Sequence, residues 1–135
     1  GHGRSGAMTR VLGKGRTTAA LLAGILLGGC CVGRLQLTVT AAPHSNGDRP
    51  VYVLVAEVDA KTYEQESYDA VAAKVAQSDD SVRWVQQVSP GERRRACIPK
   101  GKKGLGVYVL YAQPSALQWR MRLDKPPRTY TLKIK

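Results

Sequence analysis

Apolar and polar residues alternate from Leu35 onward: Leu35, Leu37 and Val39 on one side, Gln36, Thr38 and Thr40 on the other. A period of two places successive side chains on opposite faces of an extended chain, so this run predicts a strand with one buried face. Residues 41–50 read as a loop, with the turn formers Pro43, Asn46-Gly47-Asp48 and Pro50. Val51 to Val58 is almost wholly apolar and rich in valine, which predicts a central strand covered on both sides. From Lys61 to Gln77 the period lengthens. Tyr68, Val71, Ala72 and Val75 recur at helical spacing, Glu64, Glu66 and Asp69 gather in the early turns, and Ser78-Asp79-Asp80 ends the predicted helix.

The remainder reads as strands. Val82, Trp84 and Val88 mark one, closed by Ser89-Pro90-Gly91-Glu92; Arg94, Ala96 and Ile98 then alternate with Arg93, Arg95 and Cys97. Residues 99–104, with three lysines and two glycines, predict a hairpin tip ahead of the apolar run Leu105 to Ala112. Leu117, Trp119, Met121 and Leu123 oppose Gln118, Arg120 and Arg122; Tyr130, Leu132 and Ile134 oppose Thr129, Thr131 and Lys133. Asp124 to Arg128, with Pro126-Pro127, joins these last two segments. The pattern predicts an all-β fold, a β-sandwich of about six to seven short strands with one inserted helix.

The amino-terminal segment follows another rule. Arg10, Lys14 and Arg16 precede an uncharged stretch of about 11 residues ending at Leu27, too short for the roughly 20 residues that cross a bilayer as a helix but suited to the core of a signal peptide. It closes on Leu27-Gly28-Gly29-Cys30, which resembles the lipobox of bacterial lipoproteins. That resemblance implies cleavage between Gly29 and Cys30 and acylation of the Cys30 thiol, the covalent lipid being the sole cofactor-like group expected. Residues 1–7 then read as cloning residues or an upstream extension, 8–29 as signal peptide and 30–135 as a single domain. Several acyl chains anchor stably where one anchors marginally. Because Cys31, not aspartate, follows Cys30, the sorting rule of such lipoproteins implies the outer membrane, facing the periplasm.

Charge is unevenly placed. Five Lys/Arg stand against nine Asp/Glu from Cys30 to Glu92, and twelve against Asp124 alone from Arg93 to Lys135. A basic half attracts nucleic acid, anionic lipid or an acidic protein alike; export removes nucleic acid from that set. The cluster Arg93, Arg94, Arg95, Lys100, Lys102 and Lys103 is the candidate partner-binding surface, its alternative being an ordinary solvated strand face. Cys31 and Cys97 offer a disulfide in an oxidising compartment, the alternative being a buried, inert Cys97. No catalytic residues are assigned. His44 has no identifiable nucleophile or carboxylate partner, no metal-ligand spacing occurs, and Gly101-Lys102-Lys103-Gly104 lacks the Ser/Thr and following helix of a phosphate loop. Neither enzymatic turnover nor a small-molecule substrate is expected.

Taken together, the lipobox, the size of the β-rich domain, Leu35-Gln36-Leu37-Thr38-Val39-Thr40, the run Arg49 to Val58 and the terminal pair of alternating segments resemble the type III secretion pilotins, the YscW-like lipoproteins. That resemblance implies a protein that binds a secretin ring subunit and promotes its outer-membrane targeting and assembly. The loop and valine-rich strand at Asn46-Gly47-Asp48-Arg49-Pro50-Val51 also resemble the TssJ-like lipoproteins of type VI secretion, in which reading residues 41–50 dock an inner-membrane partner. A third reading, a lipid or small-ligand carrier, requires a cavity inside the sandwich.

Overall fold

The computed structural model describes residues 31–114 and 117–135, so the predicted signal peptide and Cys30 lie outside the described residues. The chain divides after Val32, and the fold below is that of Gly33–Lys135. Its strands are β1 (Leu35–Ala41), β2 (Val51–Glu57), β3 (Val82–Val88), β4 (Arg93–Ile98), β5 (Leu105–Leu110), β6 (Arg120–Leu123) and β7 (Thr129–Ile134), and its helices are α1 (Ala60–Gln65) and α2 (Tyr68–Ala76).

One sheet has the order β4-β1-β7 and the other β3-β2-β5-β6, the expected sandwich with a helical insertion. Alternation dictates the core. Leu35, Leu37 and Val39 of β1 face Val51, Val53 and Val55 of β2, with Val107, Val109, Leu132 and Ile134 completing a single buried cluster. The opposite face of β2 carries Leu54 and Ala56, which pack with Tyr108 and with Val71 of α2. The valine-rich run is therefore covered on both sides, as a central strand must be.

Three connections differ from expectation. Residues 99–104 are not a hairpin tip: β4 pairs with β1 while β5 pairs with β2 and β6, so the segment crosses between sheets. Residues 89–92 and 124–128 cross likewise. The terminal strand β7 runs parallel to β1 instead of pairing with β6. A period of two assigns each residue a face but does not name its neighbour.

The single helix expected over 61–77 is two. Asp59 caps α1 by accepting from the Thr62 amide at 2.8 Å, the backbone is extended at Glu66, and Ser67 caps α2 by accepting from the Ala70 amide at 3.1 Å. A cap oxygen satisfies an orphan helix donor, so Ser67 restarts the helix rather than continuing it. Glu66, expected in the early turns of a single helix, sits at this break and pairs with Lys74 at 2.7 Å. Ordered strand also begins later than expected, at Arg120; before it the Trp119 carbonyl accepts from the Val109 amide outside the regular ladder.

Candidate functional site

The β1–β2 connection is an irregular segment with a specific backbone geometry. Asn46, Gly47 and Asp48 all have positive φ, at 53°, 60° and 64°, a left-handed run that L-residues adopt at a cost unless side-chain bonds compensate. Asn46 supplies them. Its Nδ2 donates to the Pro50 carbonyl at 3.1 Å, its Oδ1 accepts from the Ala112 amide at 2.9 Å, and its own amide donates to the Lys135 carbonyl at 3.1 Å. One side chain thus ties the loop to the segment after β5 and to the chain terminus. Ser45 beside it is 2% exposed. His44 and Asp48 project outward and pair at 2.7 Å, so His44 is an exposed loop residue engaged with its own loop.

The loop rims a groove of about 270 Å³ lined by His44, Asn46, Arg49, Gln113, Leu117 and Lys135, among others. A second depression of about 190 Å³ opens beside Tyr111, Met121 and Leu132. Both fall short of the ~300 Å³ at which small-molecule pockets generally begin. The inward faces of the sheets meet in packed side chains, so among the described residues the carrier reading has only shallow depressions such as these to rest on. What the arrangement offers is a polar loop, braced by the Asn46 hydrogen bonds, at the rim of a shallow groove. Loops held by a scaffold in strained geometry are where binding residues concentrate.

The six basic residues expected as one cluster form two groups. Arg93 and Arg95 stand on the outward face of β4, opposite Thr40 and Thr38; Arg94 lies at the inward register opposite Val39 and pairs with Glu92 at 2.7 Å. Lys100, Lys102 and Lys103 lie beyond the other end of β4, a strand of six residues spanning roughly 20 Å at ~3.4 Å per residue. There the lysine loop is clamped. Glu57 accepts from the Lys102 amide at 2.7 Å and from Arg83 at 3.3 Å, while Arg122 donates to the Lys103 carbonyl at 2.6 Å and the Val58 carbonyl at 3.2 Å. The Lys102 amide holds the Glu57 carboxyl below its ordinary value, with further help from the Lys103 amide, Arg83 and the Lys103 charge.

Cys97 is not the buried thiol of the alternative reading. It shares the outward face with Arg93 and Arg95, opposite Gln36, and is exposed. Cys31 and Cys97 are each disulfide cysteines. Sequence reasoning missed Asn46 as a hub and Arg122 as a clamp. The signal for Asn46 was its place in an Asn-Gly-Asp turn, which suggests left-handed backbone but not what the amide reaches; Arg122 carried none beyond its polar face.

With this geometry in place, the likenesses to known proteins are informative. Residues 52–135 match the family model described as IglE, N-terminal domain. Among solved structures, the type VI secretion lipoprotein TssJ1 from Pseudomonas aeruginosa is similar at 25% identity, covering 74% of this chain and 86% of that one with a TM-score of 0.56. A type VI membrane complex matches at 18% identity, 76% and 92% coverage and a TM-score of 0.58. Serratia marcescens Lip, a membrane-bound component of the type VI secretion system, matches at 17% identity, 74% and 89% coverage and a TM-score of 0.50. The last two speak for the fold alone. No curated protein is similar enough to the chain to count as a match. The pilotin resemblance, and the secretin partner it implied, is not supported by these matches. The family match and the likeness to TssJ1 agree with the second resemblance, to type VI secretion lipoproteins.

Proposed function

The chain belongs to the IglE N-terminal domain family, and from that premise we propose that it is a non-enzymatic, TssJ-like lipoprotein of a type VI secretion membrane complex. The observation that carries this reading is the family match over residues 52–135, joined to a sandwich like that of TssJ1. In this reading Cys30, after cleavage from Gly29, carries the lipid and holds the domain on the outer membrane, facing the periplasm. Residues 41–50 and the groove behind them then meet a large inner-membrane protein that reaches across the periplasm. Rigidity suits that role, because a preformed loop loses little conformational freedom on binding.

Affinity capture from membranes, with the anchor intact, tests the reading. An inner-membrane subunit is expected, lost when the loop surface is altered by the pair His44→Ala and Arg49→Ala; capture of a secretin would overturn it. Labelled palmitate should enter the wild-type chain and not Cys30→Ser. We further propose that Cys31 and Cys97 are joined to each other, as an oxidising compartment permits. Alkylation with and without reductant, read by mass, should then reveal two additional thiols only after reduction.

A further inference from the structure

Three segments far apart in sequence meet at the end of the sandwich where β1 begins. Because β1 and β7 are parallel, their first residues start side by side, and the Gln36 amide donates to the Arg128 carbonyl at 2.9 Å. Antiparallel β4 ends at the same place, with Ile98 opposite Leu35, and Leu105 of β5 lies opposite Leu123 of β6. The residue preceding β1, the 99–104 crossing and the 124–128 crossing therefore share one end. They carry Arg34, Lys100, Lys102, Lys103, Lys125 and Arg128, all exposed except the half-buried Lys100. None of the six forms an ion pair within 4 Å with another described residue.

The neighbouring acids are already engaged. Glu57 holds the Lys102 amide and Arg83, Asp59 caps α1, and Asp124 pairs with Arg122 at 3.1 Å. Asp79 lines one pocket with Glu57, Asp59 and Lys103 and accepts from the Ser81 amide at 2.9 Å, so acidic side chains border the lysine loop on its β2–β3 side while the outer edge of the loop stays basic. Glu57 and Arg122 fix the backbone of the lysine loop, so its charges stand on a defined platform.

We propose that this end is a basic collar that rests on anionic phospholipid headgroups. The proposal depends on the reading of Cys30 as the acylated residue. Leu35 follows Cys30 by five positions, a reach of at most ~18 Å for extended chain. An anchored chain therefore keeps the collar near the bilayer, leaving little room for a folded partner in between. Lys and Arg without a close ion-pair partner at that distance meet the negative surface potential of anionic lipid. The collar also orients the molecule: the 41–50 loop, at the other end of the seven-residue β1, is turned toward the periplasm.

The test uses the mature lipoprotein in nanodiscs of phosphatidylcholine, with or without phosphatidylglycerol, and reads lysine acetylation residue by residue. Phosphatidylglycerol should slow labelling of Lys100, Lys102, Lys103 and Lys125 by about threefold or more, leave Lys133 and Lys135 unchanged, and lose its effect in high salt. Equal labelling in both lipids overturns the collar, as does protection that requires an added acidic protein. Intact mass of the same sample separates the two premises. Without acyl mass on Cys30 the anchor reading fails and the collar falls with it; an acylated protein with uniform lysine reactivity sinks the collar alone.

Discussion

The side-chain oxygen of Asn46 accepts the backbone amide of Ala112 at 2.9 Å across 66 residues of sequence. The bond joins the β1–β2 loop to the chain leaving β5, and a left-handed residue makes it. Asn46→Gly keeps the backbone freedom and deletes the side-chain bonds; Asn46→Ala deletes the bonds and adds strain at positive φ. A lost bond costs about 0.5–1.5 kcal/mol, and left-handed alanine adds roughly 1 kcal/mol or more. Denaturant unfolding should rank wild type above Asn46→Gly and Asn46→Ala lowest. Hydrogen exchange at Ala112 should quicken in both, and unchanged exchange would show that the amide owes nothing to Asn46.

Gly106 is dictated by Tyr108. A Cβ at Gly106 would stand 2.5 Å from the tyrosine oxygen and 2.8 Å from two ring carbons. The ring cannot swing aside cheaply, being buried with centroids 6.2 Å from Tyr63 and 6.0 Å from Trp119. Gly106→Ala should therefore cost about 1–3 kcal/mol, the usual penalty for overpacking. Adding Tyr108→Leu should recover part of the loss by removing the obstacle. Equal stability of Gly106→Ala and wild type in guanidinium melts would mean the ring has another resting place.

This pair also shows where sequence reading stops. Leu105 to Ala112 is legible as a strand because apolar β-formers dominate it, yet nothing in the string says that Tyr108 lies back over Gly106. Faces were legible throughout: Leu35, Leu37 and Val39 are buried, and Leu132 and Ile134 lie inward as alternation requires. Partners were not. β7 pairs with β1 across nearly the whole chain because closing that sheet hides both inward faces, a fact of three-dimensional packing. The candidate site divides the same way. The turn formers at 43–50 announced a loop, whereas the Asn46 bonds and the split of the basic residues depend on which ends of the strands coincide.

Gly101 answers a similar demand at the collar. Its φ is +67°, and a Cβ there would fall 1.8 Å from Glu57 Oε2. Gly101→Ala must push the carboxylate away from the Lys102 amide while adopting left-handed backbone. A stability loss of about 1–2 kcal/mol is expected, together with faster proteolysis within 99–104. A loop as protected as in wild type would indicate that Glu57 does not hold it.

Glu57 also makes stability depend on pH with a definite sign. Its carboxyl is held below the ordinary 4.5 chiefly by the Lys102 amide. Asp59 is lowered by the Thr62 amide, Asp79 by the Ser81 hydroxyl and Glu92 by the Ser89 amide. A carboxylate with a depressed value in the folded state binds its proton more readily when unfolded, so its stabilisation is complete above the unfolded value and disappears as pH falls through the folded one. Unfolding midpoints should thus be nearly flat from neutral pH down to about 5 and decline below about 4.5. Glu57→Gln retains an acceptor for the Lys102 amide but has no charge to lose. It should be less stable than wild type at neutral pH, decline less steeply in acid, and converge with wild type once the native carboxyl is protonated. Parallel curves for the two proteins would refute the assignment, because the proton uptake would then belong to the other three carboxylates.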